Sequence, residues 1–485
     1  MRRLALTVAL IAPLCACAGV GHRPADVRLP RAYEAPPGPQ ALTTVELDHW
    51  WLLFGDSDLN GLEDQAFRTA PDARTAAARV LEAKATRDSQ TAQTLPTGDI
   101  AGKVSRENAT NLGGASNQLF PVGGTTDSQT LNFNVSWELD LFGRLAVARK
   151  VANADLAAAR FDIEGARASL AAGVADNYFQ ARGLAIQLRD ARESVRIETK
   201  LEAVAQQKAA LGLGALTDAD RIAGDLAQAR AQVVELEGQL HAAQRQLLIL
   251  IGLGTEPTTS LPLGPEARDA PPVPLATPGD LLARRPDVRE AEAHLRAQAG
   301  TGRLRHLAIF PTFTLLPGLG LSRTVSPGVS FIPPATLIPA QQTTSLGFWS
   351  LGVGVSVPVL DIPRLLYDAK AEDARTEQAV IAYEKTVQTA YGEAENAMTN
   401  LAAEERAVTT LEDGEARAKR ASDGAAKLYA MGLTDITTAL SAEQAWRATR
   451  AALTAERVQA LRQAVATYKA LGGGWAYAAL AAKPR

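Results

Sequence analysis

The stretch Ser136-Trp-Glu-Leu-Asp-Leu-Phe-Gly-Arg144 ends a run of alternating apolar and polar residues and begins a different pattern. It is followed by residues 145–211, which are 67 residues without a proline. A related stretch, Ser356-Val-Pro-Val-Leu-Asp-Ile-Pro-Arg364, lies 220 residues later and precedes a second such segment, 365–431. A helix of that length measures roughly 100 Å at 1.5 Å per residue. The sequence therefore predicts, twice, a strand followed by a very long helix.

Upstream of each long helix the sequence predicts a pair of strands. In the first half these are 99–107 and 130–138, where Leu131, Phe133, Val135 and Trp137 alternate with polar residues. In the second half they are 312–324 and 348–357. A strand alternates its side chains between two faces, so each pair has an apolar face and a small or polar one. Such faces suit lipid on one side and water on the other.

Other landmarks recur in the same order, which indicates an internal duplication. Pro71-Asp72 recurs as Pro286-Asp287 at an offset of 215, and Leu216-Thr217-Asp218 recurs as Leu433-Thr434-Asp435 at an offset of 217. Each half then reads as a helix (60–95 in the first half), two strands, the long helix and a shorter returning helix. The returning helices are predicted at 216–251 and 434–470, after turns at Gly212, Gly214 and Gly432.

Four membrane strands cannot close a barrel by themselves, and an open sheet edge in lipid leaves backbone groups without hydrogen-bond partners. Two copies give eight strands, whose interior is filled by side chains, whereas three copies give twelve strands and an aqueous lumen. We therefore expect a mainly α protein with membrane β-strands. Its predicted assembly is a trimeric 12-stranded β-barrel continued by a periplasmic α-helical barrel, built from an internal two-fold repeat.

Composition narrows the function classes. Among 485 residues, Lys and Arg number 50 and Asp and Glu 53, a net charge of −3, which argues against nucleic-acid binding. Hydrophobic residues reach 46% with only 5% aromatic, as in long, closely packed helices. The five histidines are scattered without metal-ligand spacing. We expect no catalytic, cofactor-binding or metal site, and hence no enzyme.

The N-terminus reads as a targeting segment. Met1-Arg2-Arg3 precedes a short apolar run, 4–14, and the chain's two cysteines follow at Cys15 and Cys17. Leu14-Cys15-Ala16-Cys17 resembles the lipobox of bacterial lipoproteins, which implies cleavage before Cys17 and lipidation of that residue. Ala18 replaces the aspartate that retains lipoproteins in the inner membrane, so the resemblance implies the outer membrane. An ordinary secretory signal with a chance cysteine remains an alternative.

Four strings carry a wider resemblance: 50–56 (WWLLFGD), 137–144 (WELDLFGR), 281–288 (LLARRPDV) and 471–475 (LGGGW). Their order and spacing resemble the TolC-like outer-membrane efflux proteins, in the NodT-type lipoprotein branch that serves resistance-nodulation-division pumps. The resemblance implies a homotrimer in outer-membrane lipid, a periplasmic adaptor protein and an inner-membrane transporter as partners, and small molecules such as drugs as cargo.

The resulting division of the chain has six parts. These are a signal peptide (1–16), a lipidated tether and collar segment (17–58), a first efflux repeat (59–251), an equatorial linker (252–277), a second repeat (278–471) and a C-terminal collar segment (472–485).

The resemblance also locates the site at the helical turns, where the tube meets its adaptor and narrows its pore. The residues implied in docking are Gly212, Gly214, Leu216, Thr217, Tyr429, Gly432, Leu433 and Thr434. The candidates for the pore constriction are Asp218, Asp220, Asp225, Thr437, Ser441, Glu443 and Gln444. Many relatives carry an aspartate where this chain has Ser441, so an acidic ring cannot be assumed at that level.

Two other functions remain open from the residues. A periplasmic scaffold lipoprotein that forms no channel would need the helices but not the alternating strands. A conduit for protein secretion would share the whole architecture, although the lipobox favours efflux.

Overall fold

The computed structural model describes residues 23–35, 47–109, 124–212, 215–261, 263, 269–271, 277–332, 336–431 and 433–474. Three of the candidate site residues, Cys17, Gly214 and Gly432, lie outside these ranges, as does the rest of the targeting segment. The helices are α1 Ser57–Thr69, α2 Pro71–Ala92, α3 Arg144–Ala210, α4 Leu216–Leu250, α5 Pro278–Arg284, α6 Pro286–Leu307, α7 Ile362–Ala430 and α8 Ile436–Ala470. The strands are β1 Thr97–Ala109, β2 Gly124–Leu139, β3 Thr312–Ile332 and β4 Thr336–Ser356.

The two very long helices are confirmed. Helix α3 has 67 residues and α7 has 69, and each is followed by a returning helix of 35 residues, α4 or α8. Within the ranges given above, none of the helices combines the length and the apolar run that a bilayer crossing requires. Both long helices are instead rich in alanine, which lets neighbouring helices approach closely.

The single helix predicted over residues 60–95 is wrong, because the chain forms two helices there. Ala70 has φ −55° and ψ 130°, so it is extended and separates α1 from α2. The cause is Pro71, which disfavours a helical residue before it and is well suited to a first helical turn. Asp56 begins α1 by accepting hydrogen bonds from the backbone N–H groups of Asp58 and Leu59.

The strands form one antiparallel sheet in the order β1-β2-β3-β4. Strands β2, β3 and β4 extend further than the alternation predicted, to 16, 21 and 21 residues. The register is continuous, with Phe133 paired to Ile100 on β1 and to Leu319 on β3, and Leu319 paired to Trp349 on β4. Paired side chains share a face, so these four residues belong to one apolar face.

That apolar face is exposed in the single chain: Leu319 is 60% accessible and Trp349 is 76% accessible. On β2 it runs from Leu131 to Leu139, about 26 Å along the strand at ~3.3 Å per residue. This matches the ~25 Å apolar band of outer-membrane barrels. Beyond it the same face becomes charged, where Arg106 donates two hydrogen bonds of 2.6 and 2.8 Å to Asp127.

The described chain divides into two compact units. The first contains the sheet and consists mainly of Ala83–Leu156 and His294–Ala379. At the end of β2 the chain turns through Gly143, whose φ of 77° favours glycine. Beside that turn Phe142 stacks on Phe310 with ring centroids 4.9 Å apart, so the first part of the chain packs on the segment that leads into β3.

The second unit holds the main hydrophobic core and the larger part of each long helix, from Ala157 in α3 and from Val380 in α7. Trp50 is fully buried and stacks on Tyr468 with centroids 5.8 Å apart. Gly473 passes so close to both residues that a Cβ there would lie 2.9 Å from Trp50 Cδ1 and 2.9 Å from the Tyr468 carbonyl oxygen. This contact explains why glycine occupies the middle of the 471–475 string.

A buried ion pair lies beside this core. The Asp56 carboxylate that caps α1 also accepts hydrogen bonds from Arg182 and from the Tyr178 hydroxyl, the latter at 3.1 Å. Burial by itself raises the pKa of Asp56, but the hydrogen bond from the Leu59 backbone and the positive charge of Arg182 outweigh it and leave the pKa lowered. The carboxylate is therefore held ionised inside the fold.

Candidate functional site

The first turn that the sequence singled out joins α3 to α4. Gly212 has a φ of 70°, and its N–H donates to the Ala209 carbonyl oxygen at 3.0 Å, so a glycine in the left-handed region ends the helix. Leu211 is 65% exposed and Leu216 is 75% exposed, and Thr217 beside it is also exposed. The predicted helix break at Gly212 is confirmed, and it presents two leucines to the surroundings.

The second turn joins α7 to α8. The N–H of Leu433 reaches back to the Leu428 carbonyl oxygen at 2.9 Å, which closes the last turn of α7. Asp435 then begins α8 by accepting a 2.7 Å hydrogen bond from the Thr438 N–H, and that bond lowers the pKa of Asp435. Met431 and Leu433 are both largely exposed, whereas Thr434 is half-buried. This turn, like the first, presents apolar side chains.

Direct contacts join the two turns. Lys208 Nζ donates a 2.7 Å hydrogen bond to the Tyr429 hydroxyl and lies 4.3 Å from the centre of that ring. Behind it, a small core packs α3, α4 and α8 together: Ala205, Ala219, Ile222 and Leu440. The two turns are therefore parts of one tip, which α3, α4, α7 and α8 share.

The constriction candidates occupy different environments. Asp225 and Gln444 face each other across α4 and α8, with Gln444 Nε2 3.4 Å from Asp225 Oδ2. Ser441 is exposed, and its hydroxyl donates to the Thr438 carbonyl oxygen of its own helix at 3.0 Å. Asp218 is half-buried, whereas Asp220 and Thr437 are exposed. The structure brings Asp225 and Gln444 together but does not join Ser441 to any other candidate.

Glu443 belongs to a separate charge cluster. Its Oε1 lies 3.5 Å from Arg447 Nη2, while Arg447 Nη1 donates a 2.6 Å hydrogen bond to Glu198 Oε1 on α3. Burial raises the pKa of Glu443, the positive charge of Arg447 lowers it, and the negative charge of Glu198 raises it, with a net increase. One arginine thus serves two acids, and sequence reasoning identified only Glu443.

Further arginines on α8 continue this pattern. Arg450 donates to Asp190 on α3 at 2.9 and 3.1 Å, and Arg462 donates to Asp176 on α3 at 2.7 and 3.1 Å. Arg457 donates to Glu412 on α7 at 2.5 Å. The arginines of α8 were visible in the sequence, but their acidic partners lie 45 to 286 residues away along the chain.

The helical tip exposes three leucines and a methionine, Leu211, Leu216, Leu433 and Met431. The carboxylates of Asp218, Asp220 and Asp225 lie on the adjoining helix α4. Within the described ranges, no three His, Cys, Asp or Glu side chains come together as a metal site.

Most of the chain is similar in sequence to known outer-membrane efflux proteins. The sequence profile of the family described as "Outer membrane efflux protein" matches residues 62–253 and again residues 277–473. The pyoverdine export outer membrane protein OpmQ of Pseudomonas aeruginosa is 27% identical over 434 residues, which cover 89% of this chain and 88% of OpmQ.

Two further comparisons extend the likeness. The cation efflux system protein CusC of Escherichia coli is 26% identical over 434 residues, which cover 88% of each chain. The solved structure of the outer-membrane channel OprN superposes with a TM-score of 0.76 at 25% identity, covering 95% of this chain and all of OprN. The likeness in fold therefore extends over almost the whole chain.

Proposed function

We propose that three copies of this chain form the exit duct of a tripartite pump. The chain belongs to the outer membrane efflux protein family. It is therefore an outer-membrane efflux channel protein with a periplasmic extension. The observation that carries this proposal is the four-stranded sheet, with its exposed apolar face, its opposite face of mainly small and polar residues and its two unpaired edges, β1 and β4. Lipid demands that those edges be paired. A closed ring of three copies pairs each β4 with the next β1 and leaves a lumen.

The repeated order of elements supports an internal duplication. A strand pair, a long helix and a 35-residue helix occur in each half, after helices that begin at Pro71 and at Pro286. In a trimer, six long and six short helical segments could then surround one channel with similar packing throughout. The role needs no catalytic chemistry, so the chain is proposed to be a duct and not an enzyme.

The helical tip is proposed as the docking surface for a periplasmic adaptor. The apolar groups exposed at its two turns, Leu211, Leu216, Met431 and Leu433, support this assignment. Leu216 and Leu433 are among the docking residues expected from the sequence, and the other six lie close to them along the chain: Gly212, Gly214, Thr217, Tyr429, Gly432 and Thr434. An inner-membrane transporter of the resistance-nodulation-division class would complete the assembly.

The pore constriction is proposed to lie just above that tip. Asp225 and Gln444 already contact each other, and Asp218, Asp220, Thr437 and Ser441 lie nearby in sequence on the same two helices. Glu443 differs from them because Arg447 and Glu198 partly neutralise its surroundings. Asp225 is therefore the residue we expect to contribute most to cation preference.

Cys17 is proposed as a lipid anchor in the outer membrane, with the segment that follows serving as a tether. Residues 23–35 support this assignment, since they run along α7. There the Ala35 N–H donates to Glu395 at 2.7 Å, and Tyr33 stacks on Tyr391 with centroids 5.6 Å apart. Such a tether would connect the lipid to the helical part of the duct.

The cargo is proposed to be small molecules. Separate relatives are named for pyoverdine export, cation efflux and antibiotic efflux. One family of ducts therefore serves different cargoes, and we propose that the pump makes the main choice of substrate.

Planar-bilayer recording of the purified protein tests the proposal. Stable trimers with ion conductance are expected, and Asp225→Ala should reduce cation preference, whereas Glu235→Ala, ten residues further along α4, should leave it unchanged. A folded trimer that never conducts would contradict the channel. Equal cation preference in the wild type, Asp225→Ala and Glu235→Ala would show that Asp225 does not contribute to the pore constriction.

A further inference from the structure

The face of the sheet opposite Phe133 is made mainly of small and polar residues, and its large apolar side chains include Leu316, Leu346 and Phe348. Asn132 on β2 pairs with Gly320 on β3, and Gly320 pairs with Phe348 on β4, so these three residues form one row across the sheet. The row lies on the face opposite Phe133, Leu319 and Trp349, because side chains alternate along each strand. Among the strand residues that the structure describes, Phe348 is the only aromatic residue on this face.

Phe348 lies over Gly320 and reaches Asn132. A Cβ at Gly320 would lie 2.2 Å from Phe348 Cζ and 2.7 Å from Asn132 Oδ1, so both side chains occupy the space above the glycine. The row therefore requires glycine at its centre. Phe348 is still 49% exposed, so its ring remains accessible to a molecule that moves along this face.

The side-chain oxygen of Asn132 in this row lacks a hydrogen-bond donor. This Oδ1 atom is buried and accepts no hydrogen bond. Burying an acceptor without a donor costs free energy, so an arrangement that supplies a donor is favoured. A small shift of the Phe348 ring would open the oxygen to such a donor while the ring itself stays available for stacking.

We propose that Asn132, Gly320 and Phe348 form a transient binding site for a planar aromatic molecule that carries an O–H or N–H donor. The ligand ring stacks on Phe348, and its O–H or N–H group donates a hydrogen bond to Asn132 Oδ1 above the flat surface of Gly320. This inference rests on the proposed function, since it takes the face opposite Phe133 to be the wall of the lumen. It gives the duct an affinity of its own for phenol-like cargo.

The test is the blocking of single-channel current by 2-naphthol in the reconstituted trimer. Phe348→Leu keeps an apolar side chain and removes the ring, and it should shorten each block by roughly two- to ten-fold, the range of aromatic pair energies. Asn132→Ala should also shorten it. Trp349→Leu, at the adjacent residue on the opposite face, should leave it unchanged.

A second probe isolates the hydrogen bond. 2-Methoxynaphthalene has the same rings but no donor, so its blocks should be shorter than those of 2-naphthol in the wild type and unaffected by Asn132→Ala. Equal block durations in wild type, Phe348→Leu and Asn132→Ala would overturn the site.

A measurement that needs no current separates this site from the channel itself. Saturation-transfer NMR between 2-naphthol and the trimer in detergent should lose its signal in Phe348→Leu and keep it in Trp349→Leu. A trimer that never conducts but shows this difference contradicts the proposed duct and leaves the site standing. A conducting trimer without the difference contradicts the site alone.

Discussion

Arg447 on α8 donates a 2.6 Å hydrogen bond to Glu198 on α3, and the two residues are 249 positions apart in the chain. The Arg447 side chain is 19% exposed and that of Glu198 is 5% exposed, so the pair lies largely out of water. Glu443 approaches the same guanidinium group from one turn away on α8. A returning helix of the second half is thereby attached to the long helix of the first half, close to the shared tip.

Removing the arginine alone should lower the stability of the fold more than removing the charges of both Arg447 and Glu198. Arg447→Met leaves Glu198 and Glu443 close together without a cation, and breaking a buried pair in this way costs about 3–5 kcal/mol. Arg447→Met combined with Glu198→Gln should recover part of that loss. Thermal unfolding of the wild type, Arg447→Met, Glu198→Gln and the double variant completes a double-mutant cycle and measures the coupling energy. Strict additivity of the two single changes would show that the pair contributes no coupling energy.

The contact between Lys208 and Tyr429 should hold the two turns of the tip together. Tyr429→Phe removes the hydroxyl acceptor and keeps the ring under the ammonium group, so we expect a loss of about 0.5–1.5 kcal/mol and more frequent channel opening. Lys208→Met removes both interactions and should have the larger effect. Single-channel recording gives the open probability. The control is Tyr367→Phe, which alters a tyrosine beside Lys370 in the other unit; an equal response there would rule out a role specific to the tip.

Glu63 should make the protein less stable as the pH rises. Its side chain is fully buried on α1, and neither carboxyl oxygen has a hydrogen-bond partner. Burial raises the pKa of Glu63 well above its usual value of 4.5, and the nearby charge of Asp64 raises it further. The folded chain then keeps a proton on Glu63 that the unfolded chain releases. The contribution of this proton to the free energy of unfolding is fully present below the pKa of Glu63 in the unfolded chain, and it is lost as the pH rises through the pKa in the folded chain.

Glu63→Gln should remove that dependence. Melting temperatures measured from about pH 4.5 to 8 should fall less steeply in the variant than in the wild type. Glu82→Gln, at an exposed position on α2, should keep the wild-type slope. A wild-type slope in Glu63→Gln would mean that another group titrates in this range.

Asp56 combines two separable roles. As the first residue before α1 it accepts backbone hydrogen bonds, and as a carboxylate it binds Arg182. Asp56→Asn keeps an acceptor for the helix and loses the charge, whereas Asp56→Ala loses both, so alanine should cost about 1 kcal/mol more. Because the pKa of Asp56 is lowered, its contribution is present above the unfolded pKa and is lost as the pH falls through the folded pKa. Melting curves near neutral pH should rank wild type, asparagine and alanine in that order; equal melting of the two variants would argue against the capping role.

Much of the fold could be predicted because its signals are local. The absence of proline over 145–211 and 365–431 predicted the long helices to within a few residues, and Gly212 predicted one break correctly. The interruption at Ala70 was missed, although Pro71, which disfavours a helical residue before it, was used as a landmark of the repeat. The resemblance named residues of the two turns as docking candidates, which stays a prediction, whereas it did not name Lys208, Glu198 or Arg447, because nothing near them in the chain identifies their partners.

The sequence by itself determined the lengths of the helices, the two faces of each strand and the glycine at the first turn, since helix breaks and side-chain alternation depend on neighbours a few residues away. Only the tertiary structure decided which charges meet and which side chains share a row. Arg447 finds Glu198, and Phe348 lies over Gly320, because the register between distant elements brings them together. That register is set by the packing of whole helices and the pairing of whole strands, and no local pattern specifies it.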